Sequence, residues 1–184
     1  MTMTACYQTF NTPTGPFSVA MDQDQKILAT AFGGVEVLRT RLGTMELCLD
    51  HARTTDAREQ IEAYFSGGRK SFTLTLVPHG TAFQKQVWQI LASIPFGETR
   101  SYAEVAAELK SAPRPVGSAA GRNPIALIIP CHRVIGSDGK LTGFAFGESI
   151  KRQLLEHESI HCEQPVSWHP SRHSAQSGKV FLRS

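Results

Sequence analysis

The hydrophobic pattern of the chain changes near residue 80, and this change constrains the fold more than any other feature. Before it, short β-forming runs alternate with turn-rich segments. After it, the pattern predicts short helices joined by tight turns. A chain of 184 residues can form one domain or two small ones. We therefore expect an α/β fold with subdomains over 1–78 and 79–158, separated at Pro78-His79-Gly80, and a tail over 159–184.

The first part is predicted to combine strands and two helices. Strands are expected at Tyr7–Phe10, Phe17–Met21 and Ile27–Phe32. Helices are expected near 34–42 and 56–66, the second capped by Thr55 and ended by Gly67-Gly68. Alternation of apolar and hydroxyl residues over 71–76 predicts one further, half-buried strand at Phe72, Leu74 and Leu76.

The second part is predicted to contain a helix-turn-helix unit. Capping boxes at Thr81/Gln84 and Ser101/Glu104 begin two helices, and Pro113-Arg114-Pro115 begins a third. The third helix carries Gly117-Ser-Ala-Ala-Gly121, a face with almost no side-chain bulk. Such a face suits either a neighbouring helix or strand, or a nucleic-acid groove. Many three-helix units bind nothing, so both alternatives stay open here.

A reactive cysteine is suggested where this unit ends. Asn123-Pro124 stops the helix, and Ile125–Ile129 then predicts a buried strand. Pro130-Cys131-His132-Arg133 follows, and positive neighbours lower a thiol pKa, which makes Cys131 a candidate nucleophile. A free cysteine is also commonly a small buried hydrophobic residue. The residues alone leave these two interpretations even.

Charge and cysteine content narrow the function classes. The net charge is +3, with 7 basic and 8 acidic residues up to position 78 and 12 and 8 beyond it. The second part therefore has the sign that suits a polyanion, although a slightly basic protein without such a partner fits equally. Cys6, Cys48, Cys131 and Cys162 show no zinc-ligand spacing, which predicts free thiols and no metal site. His157 and His161 are interpreted as polar residues at a helix end. With no signal peptide or membrane span predicted, we expect a cytoplasmic protein.

Several segments together resemble the O6-alkylguanine-DNA alkyltransferase family, over about residues 81–158. The first 78 residues match that family only in length and β-then-α order. The resemblance implies a ribonuclease-H-like N-terminal subdomain and a winged helix-turn-helix C-terminal one. The segments that carry it are Gly97–Tyr102, Arg114–Gly117, Asn123–Val134, Ile135–Gly143 and Lys151–Glu158.

The resemblance implies direct repair of alkylated DNA. The alkyl group of O6-alkylguanine, and by extension O4-alkylthymine, would pass to Cys131 once per molecule, without a cofactor. His132 would take the thiol proton through a water, and Glu158 would orient His132. Tyr102 would donate to a base ring nitrogen, and Asn123 would form a hinge after the recognition helix. The pocket would be formed by Val134, Phe144, Ala145 and Phe146, with backbone amides of Val134 and Ala145 near the alkylated oxygen.

The implied partner is double-stranded DNA, bound by a monomer through the minor groove with the damaged base flipped out. Arg114 would fill the gap left by the base, Tyr102 would crowd the adjacent phosphate, and Gly136–Gly143 would form the wing. The implied DNA-binding residues are Tyr102, Arg114, Gly117, Ser118, Ala119, Ala120, Arg122 and Arg133. Four of the implied site residues have ordinary alternatives: a helix-start aromatic for Tyr102, a simple phosphate contact for Arg114, a surface residue near a helix end for Glu158 and a turn former for Asn123.

Two departures from the family pattern concern the pocket. Phe144 stands where many members have tyrosine, and Phe146 where many have glycine. We expect Phe146 to favour methyl over benzyl groups. Three alternatives to alkyl transfer remain: a relative that binds lesions without transfer, a cysteine hydrolase using the same residues, and a DNA-binding regulator with a chance cysteine.

Overall fold

The computed structural model describes residues 4–162, and its first half is built on a four-stranded sheet. Strands β1 (Thr4–Thr12), β2 (Gly15–Met21) and β3 (Ile27–Phe32) include the three predicted strands, and they pair as an antiparallel meander. A fourth strand, β4 (Glu46–Leu49), was not predicted and pairs in parallel with β1, which makes the sheet order β3-β2-β1-β4. β4 is short and largely exposed, so its sequence lacks the buried alternation that marks a strand.

Two helices accompany this sheet. Helix α1 spans Val35–Leu42, and helix α2 spans His51–Phe65. The prediction that Thr55 caps α2 is wrong, because the helix begins a turn earlier at Asp50, whose side chain accepts the Arg53 backbone N–H. Thr55 instead donates its hydroxyl to His51 O from inside the helix.

The predicted strand at Phe72, Leu74 and Leu76 is also wrong. These side chains do pack against the core, but residues 71–76 form no strand. Their backbone reaches the sheet only beside Ile27, whose N–H donates to Thr75 O at 2.8 Å while its carbonyl accepts from Val77 at 2.9 Å. Alternation therefore reports the buried side chains correctly, although the segment lacks a continuous ladder of hydrogen bonds.

The second half is helical, and both predicted capping boxes form. Helix α3 spans Ala82–Ala92, α4 spans Tyr102–Glu108, α5 spans Pro113–Gly121 and α6 spans Glu148–His161. Two short parallel strands, β5 (Arg100–Ser101) and β6 (Val134–Ile135), connect the start of α4 to the segment after Cys131. Because α6 continues through His161, it extends into the predicted tail, and the rest of the tail lies outside the described residues.

The buried run Ile125–Ile129 is not the strand that the sequence predicts. It is a tight turn in which Leu127 adopts a left-handed φ of 74°. Thr30 of β3 fixes this turn, since its N–H donates to Pro124 O and its hydroxyl donates to Ala126 O at 2.6 Å. An apolar run of five residues predicts burial but cannot distinguish a strand from a packed turn.

These elements make a mixed α/β fold with a small mixed sheet and six α-helices among residues 4–162. In the same residues, every helix is too short or too polar to cross a membrane. The core joins both halves, because residues of β1–β3 pack with those of α3, α5 and the Ile125–Ile129 turn. The turn carrying Cys131 is thus held between the sheet and the helical half.

Candidate active site

Cys131 begins a single 3₁₀ turn, Cys131–Arg133, directly after the buried proline Pro130. Its side chain is nearly inaccessible, with 7% exposure. Burial raises the pKa of the Cys131 thiol, while a hydrogen bond from Asn123 and the charges of Lys151 and Arg41 act in the opposite direction. The site therefore hides the thiol from solvent and surrounds it with groups that favour its thiolate.

His132 and Glu158 form a buried pair beside Cys131. His132 Nε2 lies 2.7 Å from Glu158 Oε1, and both side chains are fully buried. Burial lowers the pKa of His132, so the imidazole is neutral near neutral pH. With Nε2 engaged by the carboxylate, Nδ1 is the acceptor nitrogen, and it has no hydrogen-bond partner among the described residues. The two residues therefore lie in the contact that the predicted orienting role of Glu158 requires.

Glu158 is held by several donors at once. Besides His132, it accepts from Arg133, from the Gly97 backbone N–H at 2.9 Å and from the Tyr64 hydroxyl at 2.7 Å. Burial alone would raise the pKa of Glu158, but His132 and Arg133 outweigh it and hold that pKa well below its usual range. The carboxylate is therefore ionised, and its orientation is fixed.

Arg133 lies in the interior, and the prediction that it contacts DNA is wrong in this structure. Its side chain is 7% exposed. Nε and Nη2 bind the Glu158 carboxylate at 2.9 and 3.0 Å, and Nη1 donates to Ile94 O at 2.6 Å. Because a buried guanidinium needs a buried anion, Arg133 balances Glu158 and is not available to a phosphate.

Asn123 bridges the end of α5 and the Cys131 turn. Its Nδ2 donates to Ile129 O at 2.8 Å, and its Oδ1 accepts from Ile125 N–H at 3.0 Å. The side chain is buried and closes the Ile125–Ile129 turn onto itself. This position, between helix and active cysteine, is the one expected for the predicted hinge.

Tyr102 lies at the start of α4, with its ring half-buried beside the small face of α5. A Cβ at Gly117 would lie 3.8 Å from this ring. The Tyr102 hydroxyl donates to Thr142 O at 3.0 Å. Burial, together with the nearby Cys131, raises the pKa of Tyr102 to about 12, so it remains a donor. Gly143 is required at its position, because a Cβ there would stand 2.6 Å from the Tyr102 hydroxyl oxygen.

Lys151 is a further site residue, which was not predicted from the sequence. This lysine is fully buried, and its Nζ donates to the carbonyls of Val134 and Thr142. Desolvation lowers the pKa of Lys151 to about 8. A signal was available, since Lys151 lies seven residues before Glu158, on the same face of α6. Lys151 therefore joins the Cys131 turn to the 142–147 segment and places positive charge near the thiol.

Arg41 of α1 was also missed, and nothing in the sequence around it gives a signal. Its Nη1 donates to Asn123 O at 2.6 Å, and its guanidinium lies 4.5 Å from the centre of the Phe146 ring. Burial lowers the pKa of Arg41, while Cys131 acts in the opposite direction. A residue of the first half therefore touches the hinge and the pocket wall.

The predicted pocket residues occupy different environments. Phe144 and Phe146 are half-buried and contact each other and Phe32, at centroid distances between 5.2 and 6.0 Å. Val134 is buried, and its backbone N–H donates to Cys131 O, so this predicted donor is engaged. Ala145 is exposed at an open cavity of about 940 Å³, which Phe146, Arg41 and Gly121 also line.

Helix α5 presents a mixed face to solvent. Arg114, Ser118 and Arg122 are exposed, and Gly117 is partly so. Ala119 and Ala120 are buried, so the prediction that they contact DNA is wrong in this structure. Their small side chains instead allow α5 to approach α3, where Trp88 Nε1 donates to Ala119 O at 2.9 Å.

Known proteins are similar to this chain in sequence and in structure. Residues 82–160 match the family model "6-O-methylguanine DNA methyltransferase, DNA binding domain". The methylated-DNA–protein-cysteine methyltransferase of Methanosarcina acetivorans is 44% identical over 154 residues, which cover 83% of this chain and 97% of that protein. The constitutive enzyme of that name from Bacillus subtilis is 40% identical over 162 residues, covering 84% and 95%. The crystal structure of Mycobacterium tuberculosis OGT in complex with DNA superposes with a TM-score of 0.77 at 38% identity, covering 85% and 94%.

Proposed function

This chain belongs to the methylated-DNA–protein-cysteine methyltransferase family, and we propose that Cys131 is the residue that accepts the alkyl group when it repairs DNA by direct reversal. The observation that carries this assignment is the buried His132–Glu158 pair beside Cys131, with His132 Nδ1 as the remaining acceptor. Attack on a saturated carbon requires a thiolate, so the thiol proton must leave first. The transfer needs no cofactor in this scheme.

The His132–Glu158 pair provides a route for the thiol proton. The Cys131 proton passes through a water to His132 Nδ1, and the resulting imidazolium is stabilised by Glu158 across the 2.7 Å contact. Asn123 and the charges of Lys151 and Arg41 support the thiolate. The sulfur then bonds to the alkyl carbon as the carbon–oxygen bond to the base breaks, which leaves a thioether. Because a thioether offers water no good leaving group, each molecule acts once.

The negative charge that develops on the departing base must be stabilised by a hydrogen-bond donor. Tyr102 supplies it, since the raised pKa of its hydroxyl keeps the proton in place. In this structure that hydroxyl binds Thr142 O, so donation to a base nitrogen requires it to exchange one acceptor for another. Ala145, exposed at the open cavity, is assigned to the pocket around the alkylated oxygen. The Val134 amide donates to Cys131 O in this structure, so its predicted contact with that oxygen also requires an exchange of acceptor.

The proposed partner is duplex DNA that contains O6-alkylguanine or, by the same chemistry, O4-alkylthymine, and it binds a monomer. The exposed side of α5 meets the minor groove through Arg114, Ser118, Arg122 and Gly117. The alkylated carbon lies inside the base stack, so the base must be flipped out, and Arg114 fills its place. Residues 79–158 correspond to a winged helix-turn-helix, with Gly136–Gly143 as the wing, and residues 1–78 to a ribonuclease-H-like unit.

Intact mass tests the assignment. The wild type is incubated with a duplex carrying one O6-methylguanine, beside Cys131→Ala and a Cys48→Ala control whose thiol is exposed on the edge strand β4. We expect a gain of about 14 Da, saturating at one per molecule, in the wild type and the control only. Tight lesion binding without a mass gain would identify a non-transferring relative. Repeated turnover with an unmodified protein would indicate a hydrolase.

A further inference from the structure

The first half of the chain contributes a hydroxyl to the hydrogen-bond network beside Cys131. Tyr64, in the last turn of α2, donates to Glu158 Oε1 at 2.7 Å. His132 Nε2 lies 2.7 Å from the same oxygen. All three side chains are fully buried. Arg133 Nη2 also donates to this oxygen, at 3.0 Å. Because three side chains share one carboxylate oxygen, the charge that Tyr64 draws from it is not available to the imidazole.

The position of Tyr64 is fixed by its surroundings. Its ring contacts Phe96 at 5.8 Å and Phe72 at 5.7 Å between centroids. His157 lies 5.0 Å from the ring centre and binds Tyr64 O through Nε2 at 2.7 Å. Burial and the adjacent Glu158 raise the pKa of Tyr64 well above its usual value, so the phenol donates throughout the working pH range.

The charged groups facing the pair come from three elements. Arg133 of the 3₁₀ turn binds Glu158 directly, and Lys151 of α6 opposes protonation of His132 by its charge. His157, also on α6, interacts with Glu158. From α2, Tyr64 is the one side chain bonded to Glu158 among the described residues.

We propose that Tyr64 is a positioning residue for alkyl transfer, which fixes Glu158 Oε1 and limits how strongly Glu158 stabilises the imidazolium form of His132. This inference rests on the proposed function. Tyr64 keeps its own proton throughout, and the thiol proton still ends on His132 Nδ1. The first half therefore adjusts the pH at which His132 becomes neutral and able to accept the thiol proton, in addition to supporting the fold.

The test is the pH dependence of single-turnover methyl transfer in Tyr64→Phe. This variant removes one oxygen and keeps the ring packing. Without the phenol, Glu158 Oε1 stabilises the imidazolium form of His132 more strongly, which raises the pKa of His132. Since only neutral His132 can accept the thiol proton, the rising limb of the profile moves to higher pH by about half a unit. The plateau rate falls several-fold, because Oε1 loses a donor that restrained it.

Thr54→Val is the matched control. Thr54 lies on the same helix, is fully buried, and donates its hydroxyl to Gln8 Oε1 at 2.8 Å, away from Glu158. We expect this variant to lower the unfolding temperature while leaving the pH profile of the wild type. An unchanged profile in Tyr64→Phe, or an equal shift in Thr54→Val, overturns the proposal.

A second variant is predicted to shift the rising limb of the pH profile in the opposite direction. Incorporating 3-fluorotyrosine at position 64 makes the phenol a stronger donor, which lowers the pKa of His132, so the limb is expected to move to lower pH, and a shift to higher pH contradicts the proposal. This substitution also serves if Tyr64→Phe does not fold. Failure of the proposed function is recognised separately, because the wild type then shows no mass gain at any pH.

Discussion

Two opposing influences act on the thiol of Cys131. Burial raises its pKa, whereas Asn123, Lys151 and Arg41 lower it. Lys151 carries its charge at neutral pH, because its own pKa, although lowered by desolvation, is about 8. The thiol is therefore protected from adventitious oxidation by burial, while the surrounding positive charge keeps the thiolate accessible to a proton acceptor.

Phe146 is expected to limit the size of the alkyl group that the pocket accepts. Its ring contacts Phe32 and Phe144 and lies beneath the Arg41 guanidinium, so it cannot move aside without disturbing three neighbours. We predict that Phe146→Gly accelerates transfer from a benzylated guanine at least about 10-fold, while methyl transfer changes less. Single-turnover rates with the two lesions, followed by intact mass, measure this ratio.

Phe146→Leu is the matched control, since it keeps an apolar wall but removes the ring. It should leave benzyl transfer slow. Should Phe146→Gly leave the benzyl rate at the wild-type value, the pocket is limited elsewhere, and the size argument fails.

At the scale of elements, the residues of α5 that were predicted together as DNA contacts differ in their exposure to solvent. Arg114 and Arg122 are exposed, whereas Ala119 and Ala120 are buried against α3. Arg133 was predicted to contact DNA together with Arg114 and Arg122, but the 3₁₀ turn directs its side chain inward to Glu158. A sequence gives the charge of an arginine, while the direction of its side chain depends on a turn that only tertiary packing fixes.

Substituting the exposed Arg114 and the buried Arg133 is predicted to have different effects. Arg114→Ala should weaken binding to duplex DNA that carries the lesion, because no side chain then fills the space of the flipped base, with the unfolding free energy nearly unchanged. Arg133→Met should instead lower the unfolding free energy by about 3–5 kcal/mol, because it leaves the Glu158 charge buried without its ion-pair partner. Salt-dependent binding titrations and urea unfolding of both variants separate the two effects.

Comparing the stability and the DNA affinity of the two variants tests whether Arg133 acts in the interior or at the DNA. If Arg133→Met remains as stable as the wild type but loses DNA affinity with a smaller salt slope, the interior position of Arg133 is not its working position. An Arg122→Ala variant, exposed at the end of α5, provides a second surface reference.

Much of the element order was predictable from local signals. Both capping boxes, the first three strands and the third helix depend on neighbouring residues, and each is confirmed. The Ile125–Ile129 turn and β4 were not predictable, because one is an apolar run held by Thr30 from another part of the chain and the other is an exposed edge strand. In the site, Cys131, His132 and Glu158 carry a recognisable motif, whereas Arg41 and Tyr64 reach it only through the fold.

At the scale of the whole molecule, the two halves meet at the site. Tyr64 binds Glu158, Arg41 binds Asn123, and Thr30 binds Ala126, each joining a residue before position 78 to one after position 79. Cys6, Val19 and Ile27 share a core cluster with Trp88 and Val116. Because buried hydrogen bonds and apolar packing cross the boundary together, we expect the halves to unfold in one cooperative transition.

Two probes in opposite halves test this prediction. Trp88, buried in α3, reports the second half by fluorescence, provided that Trp168→Phe removes the other tryptophan of the chain. Cys6, buried in β1, reports the first half by its reactivity with a thiol reagent, followed by peptide mass. Cooperative unfolding requires both probes to change at the same urea concentration. Labelling of Cys6 at a lower concentration than the Trp88 transition would show that the sheet opens independently, and the contacts through Tyr64 and Arg41 would then be too weak to couple the halves.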